Sequence, residues 1–151
     1  MIPVTGTQIT SAVCSAIHAK YANIPIYKDP IDQEFEEPCF VVWCNRTDTK
    51  PVMWPRFSET HEIEVRYYPQ QRDTQNSYGL NIGIELIEVL SKISVKYTET
   101  EDLPVFAVDF ARQIVDDAVA VSITYKTDGI FMDGQTAELM GDLAVNVKPK
   151  E

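Results

Sequence analysis

The sequence predicts an α+β fold: a mixed, antiparallel-rich sheet with two helices packed on one face, in a single domain spanning residues 1–151. Three observations lead there. Two segments repeat their apolar residues at helical spacing, and several others alternate apolar and polar residues, as half-buried strands do. The order runs helix, strands, helix, strands, which suits helices packed against an antiparallel sheet rather than a parallel βαβ array. No repeat, low-complexity tract or Gly/Ser linker divides the 151 residues.

The first helix is expected from about Thr7 to Ala22. Thr5 and Gln8 have capping-box spacing, and Ile9, Val13 and Ile17, flanked by Ala12 and Ala16, form one apolar stripe. Asn23 and Pro25 suit its end. A short extended piece, Ile24 to Lys28, precedes an acidic loop carrying Asp29, Asp32, Glu34, Glu36 and Glu37. Cys39 to Thr47 is apolar on both alternating faces for most of its length, as a strand covered on both sides is. From Phe57 to Tyr68 the alternation is clean: Phe57, His61, Ile63, Val65 and Tyr67 share a face, and Ser58, Thr60, Glu62, Glu64 and Arg66 share the other.

Between these strands lies Asp48 to Arg56, where Pro51 and Pro55 argue against a regular strand. Met53 and Trp54 are costly to leave in water there; they either fold back on the domain or dock on another subunit. The second helix is expected from about Thr74 to Ile93, with Ile82, Leu86, Val89, Leu90 and Ile93 facing the core and Ile84 and Ile87 widening that face. Gly79 and Gly83 each cost it about 1 kcal/mol against alanine. Four residues apart, they lie on one side and admit a close neighbour, either the Ala12–Ala16 side of the first helix or a second subunit.

The last third reads as β-structure. Ser94 to Thr98 is a short strand. Phe106, Val108, Phe110 and Ile114 alternate with polar or small residues, as do Val119, Val121, Ile123 and Tyr125; Asp116 and Asp117 join the two runs into a long hairpin. Asp128-Gly129 and Asp133-Gly134 are turn signals. Leu139, Leu143, Val145 and Val147 offer a final strand, with Gly141 as a bulge.

With 44% hydrophobic and 24% charged residues the composition is that of a globular protein. No apolar run approaches the roughly 20 residues of a membrane span, and the first residues lack the pattern of a signal peptide, so a soluble cytoplasmic product is expected. Cys14, Cys39 and Cys44 are then reduced thiols in or near the core. Cys39 and Cys44, an odd number of residues apart on one strand, point to opposite faces and do not pair. Asp and Glu total 23 against 13 for Lys and Arg, a net charge of −10. Such a chain repels phosphate backbones and anionic membrane surfaces.

Little in the sequence suggests catalysis. Cys14 and His18 lie on one helix side, but a structural zinc site needs four ligands and no others have suitable spacing. His61 has inward parity on its strand and reads as a hydrogen-bonded, half-buried imidazole. The nucleophile elbow, the phosphate-binding loop and the dinucleotide fingerprint are absent. The carboxylates cluster in loops and turns, where acids normally face water, and the basic residues that would hold a nucleic-acid substrate are scattered. No enzyme activity, cofactor or metal is expected.

The N-terminal helix, Ile24-Pro25-Ile26-Tyr27, the strand Glu37-Pro38-Cys39-Phe40-Val41-Val42, the strand His61-Glu62-Ile63-Glu64-Val65-Arg66-Tyr67-Tyr68-Pro69 and the Leu80 to Ile93 helix succeed one another in an order that resembles the tail terminator family of long-tailed bacteriophages. The likeness covers most of the chain and lies in element order rather than in one motif. It implies a homo-oligomeric ring, commonly a hexamer, on the head-proximal end of the tail tube. Such a ring stops tube polymerisation and meets neck or head-completion proteins, and the sheath in contractile tails. DNA passes through it without specific binding. It further implies a place in the virion tail after assembly in the host cytoplasm.

On that reading Met53, Trp54, Arg56, Gly79 and Gly83 are candidate interface residues, and Asp116, Asp117, Glu34, Glu36 and Glu37 are candidate lumen-facing acids that repel passing DNA. Three alternatives remain open: another head–tail connector or neck protein, the cap of a phage-tail-like bacteriocin, and a small ligand-binding regulatory domain.

Overall fold

A computed structural model of the chain describes residues 4–28, 36, 38–69, 76–115 and 118–130. Helix α1 spans Gly6–Lys20. Its capping box closes as the Thr5/Gln8 spacing requires: the Gln8 N–H donates to Thr5 Oγ1 at 3.2 Å, and the Thr5 N–H donates to Gln8 Oε1 at 2.8 Å. Two orphan donors of the first turn are thereby satisfied. The helix ends two residues before Ala22, at a C-cap on Tyr21. Ile9, Val13 and Ile17 are fully buried, as their stripe predicts.

Strand β1 (Ile26–Tyr27) pairs in parallel with β2 (Cys39–Met53), and β2 pairs antiparallel with β3 (Arg56–Tyr68). Helix α2 spans Asn76–Leu90, and then β4 (Lys92–Lys96), β5 (Asp102–Val115) and β6 (Ala118–Ile130) follow. The sheet order is β1-β2-β3-β6-β5-β4, and the sheet curls into a half-barrel. Among the described strands only the β1–β2 pair is parallel, so the sheet is mixed and antiparallel-rich.

One core joins both helices to the sheet. Ile9, Val13 and Ile17 of α1 and Ile82, Leu86 and Leu90 of α2 lie in a cluster with Phe40, Val42, Ile63, Val65, Tyr67, Val121, Ile123 and Tyr125. Leu90 closes α2: its carbonyl accepts a buried 2.7 Å hydrogen bond from the Tyr125 hydroxyl, and burial pushes that phenol's pKa upward. An otherwise orphaned helix-terminal acceptor is thus partnered. Among the described residues, no helix is long and apolar enough to cross a membrane.

Several expectations need correction. The segment around Pro51 does not break the strand; β2 continues to Met53, and the chain reverses through Trp54 and a cis Pro55. Proline is tolerated there because β1 pairs with β2 only at Phe40 and Val41, so Pro51 sits on an open flank where a missing N–H removes no bond to an outer strand. Asp128-Gly129 is not a turn; both residues lie in β6, opposite Ser58 and Phe57. Ile93 belongs to β4, where it is buried, and Ile84 is exposed rather than part of the core face. The strand expected from Ser94 to Thr98 begins at Lys92 and ends at Lys96. The proposed final strand with Gly141, and Asp133-Gly134, lie outside the described residues.

Candidate assembly surfaces

Past Cys44 the β2–β3 hairpin continues as a largely exposed arm, widened to three strands by β6. Lys50 pairs with Ser58, and Ser58 in turn with Asp128; Arg56 pairs with Ile130. The arm's tip is apolar and wet: Val52, Met53 and Trp54 are 66%, 74% and 62% exposed. Beside the tip an open cavity of about 390 Å³ is lined by Val52, Arg56, Phe57, Asp128, Gly129 and Ile130. Three consecutive large apolar side chains held in water form a contiguous patch, unlike the single apolar residues scattered over most surfaces. The tip is therefore not folded back onto the core.

The base of the arm is held by a polar cluster centred on the buried His61 and Thr127. His61 is 1% exposed, with Nδ1 3.2 Å from Thr47 Oγ1 and Nε2 3.1 Å from Thr127 Oγ1. The Glu59 carboxylate lies 3.6 Å from Nε2. Burial pushes the imidazole pKa below its ordinary value, and Glu59 opposes this only in part. His61 thus joins β2, β3 and β6 in its neutral form, matching its inward parity. Because the folded-state pKa is depressed, the unfolded chain takes up this proton first as pH falls below about 6.5. Stability from this site is therefore full above about pH 6.5 and is lost as pH falls through the folded-state value. Urea midpoints measured from pH 8 to 5 should show an acid-side decline that His61→Asn flattens; an identical pH slope in both proteins would contradict this.

Further exposed apolar side chains were not marked by the sequence: Phe106 and Val108 on β5 are 58% and 59% exposed, and Ile114 on the opposite face of β5 and Ile84 on α2 are each 46% exposed. A register shift between Ala107 and Asp109 breaks the alternation inferred over this run. Val105, not Phe106, faces the core, while Phe110 and Ile114 pair with the core residues Ile123 and Val119. Val108 is the extra residue of this bulge. No local residue type announced it.

The other candidates fall in different places. Arg56 is exposed at the arm's tip. Gly83 is buried, and a Cβ there would lie 3.3 Å from Arg112 Cδ and 3.6 Å from Val119 Cγ1, so its close approach is to the sheet. Gly79 lies one turn earlier in α2. Glu36 is exposed, and its N–H donates to the Tyr27 hydroxyl at 3.3 Å. Glu34, Glu37, Asp116 and Asp117 lie outside the described residues.

Cys14, Cys39 and Cys44 are free thiols; the first two are buried and Cys44 is partly buried. Burial raises the Cys14 thiol's pKa, which disfavours the reactive thiolate. Cys14, His18, Lys28 and Glu36 border an open cavity of about 760 Å³. Among the described residues, no three His, Cys, Asp or Glu side chains gather as a metal site would require.

The described surface thus carries exposed apolar side chains, and beneath it lies a buried, hydrogen-bonded histidine. No curated protein matches the chain. A family model described as phage tail terminator protein matches residues 8–135. Spanning nearly all of both helices and the six described strands, that match shows that the chain belongs to the phage tail terminator protein family, a family of structural virion proteins rather than enzymes.

Proposed function

We propose that copies of this chain close into a ring, a hexamer, on the head-proximal end of a phage tail tube, where they stop tube growth and offer a docking surface to the neck or head-completion protein. In a contractile tail the same ring meets the last sheath ring. The observation that carries this reading is the three-stranded arm with Val52, Met53 and Trp54 in water at its tip. A protein that acts alone gains nothing from such a tip, whereas one that joins neighbours buries it. We further take residues 1–151 as one domain, with both helices covering one face of the sheet; the single core shared by α1, α2 and the strands supports this.

The excess acid, including Glu34, Glu36, Glu37, Asp116 and Asp117, is assigned to a DNA-repelling passage through the ring. Met53, Trp54 and Arg56 are assigned to subunit or partner contact, and Gly79 and Gly83 to close packing. Removing the gene should give overlong tubes without heads. Tails of normal length that fail to attach to heads would instead identify a neck protein. Reversing the acids should slow DNA ejection while leaving tube length unchanged, and unaltered ejection would remove them from the passage.

A further inference from the structure

Among the described residues the sheet has two uncovered edges on opposite flanks. On one, β1 stops at the level of Phe40 and Val41, so among the described residues no strand covers the outer side of β2 from Asn45 to Met53. On the other, β4 pairs with β5 only from Asp102 to Phe106, so among the described residues Val108 to Val115 are left uncovered. Both stretches are mostly exposed. Long open edges are templates for a further strand.

The topology relates these edges to one another. Three successive antiparallel pairings, β2–β3, β3–β6 and β6–β5, make β2 and β5 run in opposite directions within one copy. A second copy placed beside the first by rotation about an axis along the strands therefore presents its β5 antiparallel to the first copy's β2, with the same sheet face outward. Such a contact is heterologous, the kind that generates a ring when its rotation closes.

We infer that the β2 edge of one copy pairs with the β5 edge of the next in the register that sets Lys50 opposite Asp109. This deepens the ring reading and rests on it. The register keeps the faces matched: Lys50, Asp48 and Arg46 share the face of Ser58, Thr60 and Glu62, while Asp109, Ala111 and Gln113 share that of Thr124, Ser122 and Ala120. It joins opposite charges directly across the strands. It also sets Pro51, which has no N–H to give, against Val108, the residue that the bulge already removes from the regular ladder. Beyond them the tip is carried toward the exposed Phe106, on the same face as Met53. Two β2 edges centred on Asp48 would instead set Arg46 against Lys50, like charge against like.

The test places Lys50→Cys and Asp109→Cys, singly and together, in a Cys44→Ser background and oxidises tails assembled with each variant. The double variant should give a ladder of cross-linked species ending at the closed ring, and either single variant should give none. In a companion measurement of self-association, Lys50→Glu or Asp109→Lys should each weaken the contact by about tenfold, and the double reversal should restore most of it. Rings on tube ends with no cross-link and no effect of charge reversal would overturn this pairing and leave the ring standing. Cross-linking of Lys50→Cys alone would replace it with a β2–β2 contact. Tails that carry no copies of the chain at their ends would overturn both the pairing and the ring.

Discussion

Phe40→Ala should remove about 3–5 kcal/mol of folding stability, the upper range for truncating a single core side chain. Phe40 is fully buried on β2, where its ring centroid lies 5.2 Å from that of Tyr21 and 5.1 Å from that of Tyr67. It therefore joins the end of α1 to the middle of the sheet, and its loss opens a cavity between elements far apart in sequence. The two tilted ring pairs add about 0.5–1.5 kcal/mol each beyond the area buried. Small domains hold only about 5–15 kcal/mol in total, so the variant should unfold at a much lower urea concentration. Phe40→Leu, which keeps most of the volume, should lose far less. A midpoint within error of the parent for Phe40→Ala would mean that the contact between α1 and β2 contributes little.

Gly129→Val should destabilise by about 1–3 kcal/mol, through crowding rather than through backbone strain. Gly129 lies in a regular strand opposite Phe57, and no glycine among the described residues has a positive φ. What it provides is space: a Cβ at this position would fall 2.4 Å from Phe57 Cζ and 2.9 Å and 3.0 Å from the two Cε atoms. The buried ring of Phe57 lies across the glycine and covers its bare backbone, an arrangement that offsets the weakness of glycine in a strand. Because the two residues share one volume, their substitutions should not add. Phe57→Leu combined with Gly129→Val should be less destabilised than the sum of the single variants, as read in a double-mutant cycle of urea unfolding. Strict additivity would show that the ring moves aside at no cost.

These two positions also mark what was legible in advance. The inward parity of Phe57 was plain, because the alternation from Phe57 to Tyr68, broken only at Glu59, leaves one choice of face. The role of Gly129 was not, because Asp-Gly is a strong local turn signal and only the ring across the strand shows why a glycine stands within it. Pro51 misled in the same way. Its missing donor forbids a central strand, but the shortness of β1, which makes that part of β2 an edge, is a property of the assembled sheet. The exposure of Phe106 and Val108 on β5 stayed hidden because the bulge after Ala107 shifts the alternation without any glycine or proline to announce it. Met53 and Trp54 were recognisable as out of place in a connector, yet the choice between folding back and facing water depended on the pairing that carries β2 out to Met53 as an exposed strand.

Local chemistry was enough to determine that α1 starts at its capping box, that the 57–68 strand and the strand from Ala118 to Ile130 alternate as they do, and that a mixed, antiparallel-rich α+β sheet results. Each of these depends on neighbours within a few residues, whose spacing is written in the chain. Strand order, the position of the open edges, the bulge in β5 and the wet tip of the arm arise from contacts between residues tens of positions apart. They became visible only on folding, because whether a strand is central or edge, and whether a side chain is covered, depends on what lies beside it in space.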